Sequence, residues 1–360
     1  MPRPARLPGG ADTGARRLRK FASPENPGPE PCAGSIEAGR ITPAAAQRFR
    51  RRLYRFYHDQ GRKLPWRDTA DPYHILVSEI MLQQTQVERV ALKYEPFLHA
   101  FPDVWSLARA PLRDIMAAWQ GLGYNRRALA LQRIARRLAA DFDGRLPDSV
   151  DTLCTFPGIG AATAGALAAF AFNQPVVFME TNIRRVFLHC FFPGQNGVRD
   201  REILPLVDQT LDRLQPRPWY YALMDYGSML KRAAPNPNRR SAHHQPQAPF
   251  ADSDRQIRGL ILKALLRSPT LSVGELVSIV GKNPERTTRL IRTLIKEGFL
   301  EQEGAHLRIA GGVKATGGGS RGPGGPRGRP GRGAGPAARR PRPGPSLPRG
   351  RSLPAPGGGS

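Results

Sequence analysis

From residue 41 to about 232 the apolar positions recur at helical spacing almost without interruption. Asp71-Pro72 reads as an acidic cap followed by a first-turn proline. It predicts one helix running through YHILVSEIMLQQTQVERVALKY. Further helices are predicted over about 104–118, 125–141 and 148–154, one after Gly160 and one starting near Glu180. Gly121, Gly123, Pro147, Pro157 and Pro175 punctuate them. No stretch alternates as a strand would, so the region reads as all-α. Residues 233–253, AAPNPNRRSAHHQPQAPFADS, read as a linker or irregular strap. Beyond them helices are predicted at about 254–267, 272–280 and 284–297. FLEQEGAHLRI then reads as two short strands around Glu303-Gly304. Three helices and a hairpin make a winged-helix-like domain. Its third helix carries Arg286, Arg289, Arg292 and Lys296 at the spacing of one basic face.

The ends behave differently. Residues 1–40 and 311–360 are rich in Pro, Gly and Arg and poor in aliphatics, so both are expected to be disordered. The helical domain is then bounded at 41–252 and the winged-helix-like domain at 253–310. The formal charge of the chain is +26. With +10 in the tail and +3 in the first forty residues, +13 remains on 41–310, so the folded part is basic in its own right. That points to a polyanionic partner. There is no apolar run of transmembrane length and no signal-peptide core, so no membrane partner is expected. Cys32, Cys154 and Cys190 are widely spaced and form no disulfide framework, which fits a reducing, cytoplasmic and nucleoid-associated setting.

Two stretches carry candidate chemistry. In FPGIGAATAGAL (156–167), Pro157 to Gly160 join two helices by a tight turn spanning about 148–171. Gly158, Gly160 and Ala161 can offer backbone N–H groups at a helix N-terminus to a phosphate. A plain αα-hairpin would look the same. In VVFMETNIRRVF (176–187), an apolar run ends in Glu180, followed by Asn182, Arg184 and Arg185. An acid at a helix start is favoured by the helix dipole alone; a catalytic carboxylate beside a phosphate-binding surface is the sharper alternative. Glu79 also stands out. It lies at helical spacing from Ile75, Leu76 and Leu82, and an acid on an apolar face is poorly solvated, which favours its protonated form. A boundary glutamate paired with an arginine fits the residues equally well.

Six stretches together resemble the helix-hairpin-helix (HhH-GPD) DNA glycosylase superfamily, and in particular MutY-like adenine glycosylases. They are LPWR (64–67), SEIMLQQTQV (78–87), GLGYNRRA (121–128), FPGIGAATAGA (156–166), ETNIRRV (180–186) and ALMDYGSM (222–229). The resemblance covers about 45–232. It implies a two-lobed helical domain in which Glu79 protonates the departing base and Glu180 stabilises the sugar cation, with Asn182 helping to hold the site. Trp66 and Arg67 would line the flipped-base pocket, with Tyr221 where a polar pocket residue is usual. Gln84 and Tyr124 would wedge into the stack where the base leaves, although packing alone would also account for either residue.

The departures matter as much. Ala162 stands where bifunctional relatives carry a Schiff-base lysine, so no lyase step is expected. The four iron–sulfur cysteines, spaced C-x6-C-x2-C-x5-C, would fall on Lys231, Asn238, Ser241 and Gln247, none of them a thiolate. The adjacent His243 and His244 make no metal set. No cofactor is therefore expected, a structural monovalent cation at the hairpin aside. Glu180 stands where the family has Asp, and its carboxylate reaches about 1.5 Å further. A winged helix replaces the usual nudix-like end, its protein partner unassigned. The sequence thus implies a monomeric, monofunctional glycosylase acting on double-stranded DNA with a mismatched or damaged base. Adenine opposite 8-oxoguanine or guanine is the first-choice target. A glycosylase for uracil, thymine or a damaged pyrimidine opposite guanine is one alternative, and a non-catalytic DNA-binding protein is another.

Overall fold

The computed structural model describes residues 36–37, 40–233, 235–245 and 249–311. Helices dominate, in two packed groups. The first comprises α2 (Pro72–Leu82), α3 (Val87–Ala100), α4 (Val104–Arg109), α5 (Leu112–Ala118), α6 (Arg126–Asp141), α7 (Val150–Cys154) and α8 (Ala161–Phe172). The second comprises α1 (Pro43–Gln60), α9 (Thr181–Phe191), α10 (Asp200–Thr210) and α11 (Pro216–Ala233). Helix α11 touches α1, α9 and α8, and so joins the groups. One apolar core runs through both, with Trp119, Trp219, Tyr220 and Phe187 fully enclosed.

Caps fix most helix starts. Asp71 accepts from the N–H groups of Tyr73 and His74, and Ser149 accepts from Thr152. Two expectations differ from the structure. The stretch 72–94, read as one helix, breaks at Gln83–Gln86. The stretch 104–118 breaks at Ala110, because Pro111 cannot donate into the preceding turn. The amino-terminal expectation is also corrected near its end. Ile36–Glu37 (β1) pairs antiparallel with Arg40–Ile41 (β2). The buried Ile41 is tied to α10 through its N–H, which donates to Gln209 Oε1 at 2.8 Å. Otherwise 1–40, and with it the carboxy-terminal tail past 311, lies outside the described residues.

The last domain is a winged helix: α12 (Asp254–Arg267), β3 (Leu271–Ser272), α13 (Val273–Val280), α14 (Pro284–Glu297), β4 (Leu300–Glu303) and β5 (His306–Ile309), with sheet order β3-β5-β4. It is fastened to the first helical group by charge meeting helix carbonyls. Arg113 donates to the carbonyls of Leu265 and Leu266 at the end of α12, and Arg133 to that of Glu297 at the end of α14. Arg126 and Arg258 grip the Glu297 carboxylate from either side. The basic face expected on α14 is half neutralised. Arg286 pairs with Asp252 and Asp254, and Arg289 with Asp254, while Arg292 and Lys296 stay exposed. Among the described residues no helix is long and apolar enough to cross a membrane.

Candidate active site

Helix α2 is buried on almost every side, and Glu79 is its one acid. Ile75, Leu76 and Ile80 around it are at most 2% exposed. Burial pushes the Glu79 carboxyl up to about 8; the nearby negative charge of Glu180 adds to this and Arg67 opposes it. Glu79 is therefore protonated at neutral pH.

Glu180 is the N-cap of α9. Its Oε1 accepts from the N–H groups of Asn182 at 2.5 Å and Ile183 at 2.8 Å, and its Oε2 accepts from the Asn182 side-chain amide at 3.2 Å. The extra methylene relative to Asp is taken up in folding the carboxylate back over the helix end. The capping reading of this acid is met, and the cap fixes where its carboxylate sits. Burial raises its pKa as well, but those N–H donors and the charges of Arg185 and Arg184 pull the other way. Glu79 has no such donors among the described residues, so of the pair Glu79 takes the proton and Glu180 is the better carboxylate.

Asn182 is held in turn. Arg185 Nη1 donates to Asn182 Oδ1 at 2.7 Å and to the Gly227 carbonyl at 2.7 Å. The two arginines after Glu180 are thus structural. Arg185 is 3% exposed, and Arg184 forms a two-toothed pair with Asp200 at 2.6 Å. Sequence reading missed Gly227. A Cβ there would lie 2.6 Å from the Asn182 carbonyl oxygen and 2.7 Å from its Cβ, so only glycine lets α11 approach the start of α9 this closely. Gly227→Ala is expected to displace Asn182 and, for the activity that the resemblance implies, to lower excision about 100-fold with DNA binding retained. Single-turnover excision and gel-shift binding, run on the same preparation, check this.

Arg67 and Tyr221 form the wall next to Glu79. The Arg67 guanidinium lies 4.6 Å from the Tyr221 ring centroid, and Tyr221 stacks on Phe170. Arg67 donates twice to Asp225 at 2.8 Å, and Arg62 joins the same carboxylate. Burial works against that charge, but Arg67 and Arg62 outweigh it and hold the Asp225 carboxyl below its usual range. Trp66 stands further back, 4% exposed and edge-on to Tyr94, so it supports the wall from the core.

The two predicted wedge residues share an unusual backbone. Gln84 has φ 55° and Tyr124 has φ 46°, the left-handed region that non-glycine residues seldom occupy. Gln84 sits in the break between α2 and α3, Tyr124 just before α6. One side chain pins both loops. The buried Arg127 donates to the carbonyls of Ile80, Met81 and Gln83 with Nη1, and to Thr85 Oγ1 and the carbonyls of Leu122 and Gly123 with Nη2. Its sequence signal was available: Arg127, Leu131, Ile134 and Leu138 share one face of α6, and the other three are core.

The hairpin forms as read. Gly158 has φ 79°, Gly160 is the N-cap of α8 with no side-chain cap, and Gly158, Gly160 and Ala161 are exposed. Ala162 lies in the exposed first turn of α8, with no amine to offer.

An iron–sulfur cluster does not fit the segment after α11. Its donor positions are amide, hydroxyl and ammonium groups in place of thiolates. Asn238 donates to the Thr181 carbonyl at 3.0 Å and Ser241 Oγ accepts from the His243 N–H; Gln247 lies outside the described residues. The segment is instead a hydrogen-bonded strap over α9. Asn236 Oδ1 accepts from Arg185 Nε at 3.1 Å, Arg240 donates to the carbonyls of Leu188 and Phe192, and Ser241 bridges to Val198.

Residues 77–204 match the family model described as "HhH-GPD superfamily base excision DNA repair protein". The adenine DNA glycosylase of Mycolicibacterium smegmatis is 32% identical over 270 residues, covering 69% of this chain and 92% of that protein. The chain belongs to the HhH-GPD superfamily, in its adenine DNA glycosylase family. The adenine DNA glycosylase of Buchnera aphidicola subsp. Baizongia pistaciae is 35% identical over 187 residues, and this chain spans about half (52%) of its length. The human adenine DNA glycosylase is 33% identical over 194 residues, 36% of its length. Among solved structures, a thermostable thymine-DNA glycosylase overlays with a TM-score of 0.46 at 24% identity, covering 51% of this chain and 86% of that one. The family's motifs fall on the residues that the fold brings together: Glu79, Glu180, Asn182, Arg67 and Tyr221 at the junction of the two helical groups, Gln84 and Tyr124 at its rim.

Proposed function

We propose that the protein is a monofunctional adenine DNA glycosylase that flips adenine opposite 8-oxoguanine or guanine out of duplex DNA and hydrolyses its N-glycosidic bond. The pairing of a desolvated, protonated acid with a capped carboxylate carries this reading. Glu79 donates its proton to the base as the C1′–N bond breaks. Glu180, fixed by two N–H donors and Asn182, faces the positive charge that develops on the sugar, and water adds to C1′ as its proton passes to the Glu79 carboxylate left by the first step. Gln84 and Tyr124 fill the gap left in the stack, and the hairpin N–H groups hold phosphate. Hydrolysis by this route draws on side chains and water alone. Without an amine at Ala162, the product is an abasic site.

The test is a panel of labelled duplexes (A:8-oxoG, A:G, U:G, T:G, hydroxyuracil:G), each treated with alkali after incubation. Cleavage of the adenine strands is expected. Cleavage confined to a pyrimidine strand would move the substrate to the alternative class, and tight binding without product would overturn the enzyme reading. Strand breaks without alkali would refute the monofunctional step. Glu180→Gln is expected to abolish excision and spare duplex binding; retained excision would leave Glu180 only its capping role.

A further inference from the structure

A trough of about 2180 Å³, well above the roughly 300–1,000 Å³ of small-molecule pockets, meets the site at Asn182. One side is formed by Gln84, Tyr124, Asn182 and Arg185. The other is formed by the winged helix: Phe250 before α12, then Arg255, Arg258 and Lys263 on α12 and Arg289 on α14. Twelve Lys and Arg residues line it; Glu88, Asp225, Asp254 and Glu297 pair with five of them, and the positive excess that remains suits a polyanionic occupant.

The order of parts across this face is set by two contacts. Gln83 Nε2 donates to the Gly158 carbonyl and to Thr163 Oγ1, which places the hairpin on one flank of the wedge residues. Arg255 Nη1 donates to the Tyr124 hydroxyl at 2.7 Å, with its guanidinium 5.7 Å from the Tyr124 ring centroid, which places the winged helix on the other flank. Helix α8, which begins at the hairpin, packs on α2, which carries Glu79. The hairpin thus sits beside the helix that carries the acid, and the arrangement assigns it to the strand that gives up its nucleotide. The far flank must then meet the second strand.

We propose that the winged-helix domain is the second wall of the DNA trough and seats the strand opposite the extruded nucleotide, with Arg255 registering that wall to Tyr124. This rests on the DNA glycosylase reading above. The wall is preset, because Arg113, Arg126 and Arg133 fasten the domain to the helical groups. Its cations are not equivalent. Arg258 is engaged by Glu297 and Arg289 by Asp254, whereas Lys263 is exposed in the trough with no ion pair among the described residues. Lys263 is the phosphate contact of this wall.

Two experiments on the full chain test this. The first uses Lys263→Cys in a Cys32→Ser, Cys154→Ser background, mixed with duplexes holding a stable abasic analogue opposite guanine and a thiol tether on a phosphate of either strand. Disulfide trapping to the opposite strand is expected. Trapping only to the analogue strand, or to neither, would overturn the proposal. The second compares Lys263→Glu with Arg292→Glu, the same charge change on an exposed residue of α14 outside the trough. Lys263→Glu is expected to weaken duplex binding about tenfold at about 100 mM salt and to flatten the salt dependence by about one ion, with single-strand binding unchanged and Arg292→Glu without effect. Equal losses in the two variants would refute a dedicated wall. The excision panel is a separate arm: a protein that traps the opposite strand yet excises nothing would sink the enzyme reading and leave the wall standing.

Discussion

Glu79→Gln is expected to lower excision by about three orders of magnitude while leaving duplex affinity within a few-fold of the parent. The side chain is one of few polar groups on α2 and makes no fold-defining contact, so its amide isostere fits the same space. What is lost is the proton, and general acid catalysis is worth about 10²–10⁴ in rate. The pH profile carries the same signature. Excision by the parent should decline as pH rises through about 8, where Glu79 ionises. Stability should respond in the opposite sense to mutation. The folded-state pKa is raised above the unfolded value of 4.5, so the unfolded chain releases this proton first. Stability from this group is therefore complete below about pH 4.5 and is lost progressively as pH rises towards 8. At pH 7 the retained acid costs on the order of 3 kcal/mol, and Glu79→Gln should melt several degrees higher than the parent. A variant that loses activity and stability together would contradict this account. Single-turnover rates and thermal melts across pH 5–9 decide it.

Arg127→Met is the second large effect, and it reaches the site without touching it. The substitution keeps length and apolar bulk but strips the guanidinium donors from seven acceptors on two loops. A loss of about 3 kcal/mol is expected, because a cluster of carbonyls loses its charged donor at once, although the Gly123 carbonyl keeps Trp119 Nε1, that of Tyr124 keeps the Arg127 N–H, and the Thr85 hydroxyl still serves Gln83 or Leu122. Burial lowers the Arg127 pKa to about 10, so the guanidinium remains charged at neutral pH and the loss is not one of charge state. The loops at Gln84 and Tyr124 should then relax out of the left-handed region. Excision should fall by at least 100-fold even at temperatures where the variant is fully folded, while Glu79 and Glu180 keep their geometry. The measurement is a thermal melt paired with excision and with 2-aminopurine fluorescence at the target position, which reports flipping directly. Normal flipping in a destabilised variant would reduce Arg127 to a structural role.

These two residues mark what the sequence discloses. Glu79 was legible because its environment is local: the apolar face that desolvates it lies within one helix. The hairpin was legible for the same reason, its glycines and the following small residues being contiguous. The break at Gln83–Gln86 was not, because QQTQ contains no glycine or proline and continues the helical pattern. Carbonyl capture by Arg127, more than forty residues away, opens it. The winged helix was read nearly to its ends, since Ser253 and Asn283 are ordinary side-chain caps. Its basic face was over-read, because Asp252 and Asp254 neutralise two members from another helix start. The capping role of Glu180 was half visible; the close approach of Gly227 that fixes Asn182 depends on two helices meeting and has no local sign.

The left-handed backbone at Gln84 and Tyr124 has a kinetic consequence. Each such residue holds about 1–3 kcal/mol of strain. Here that energy is committed when the chain folds, locked by a single buried guanidinium. Under the proposed wedge role, these loops are already in shape when they meet a base pair, and interrogating the next one requires no remodelling of the protein. The dwell time at each position along a chromosome then follows the breathing of the DNA, and mispairs that open readily are sampled first.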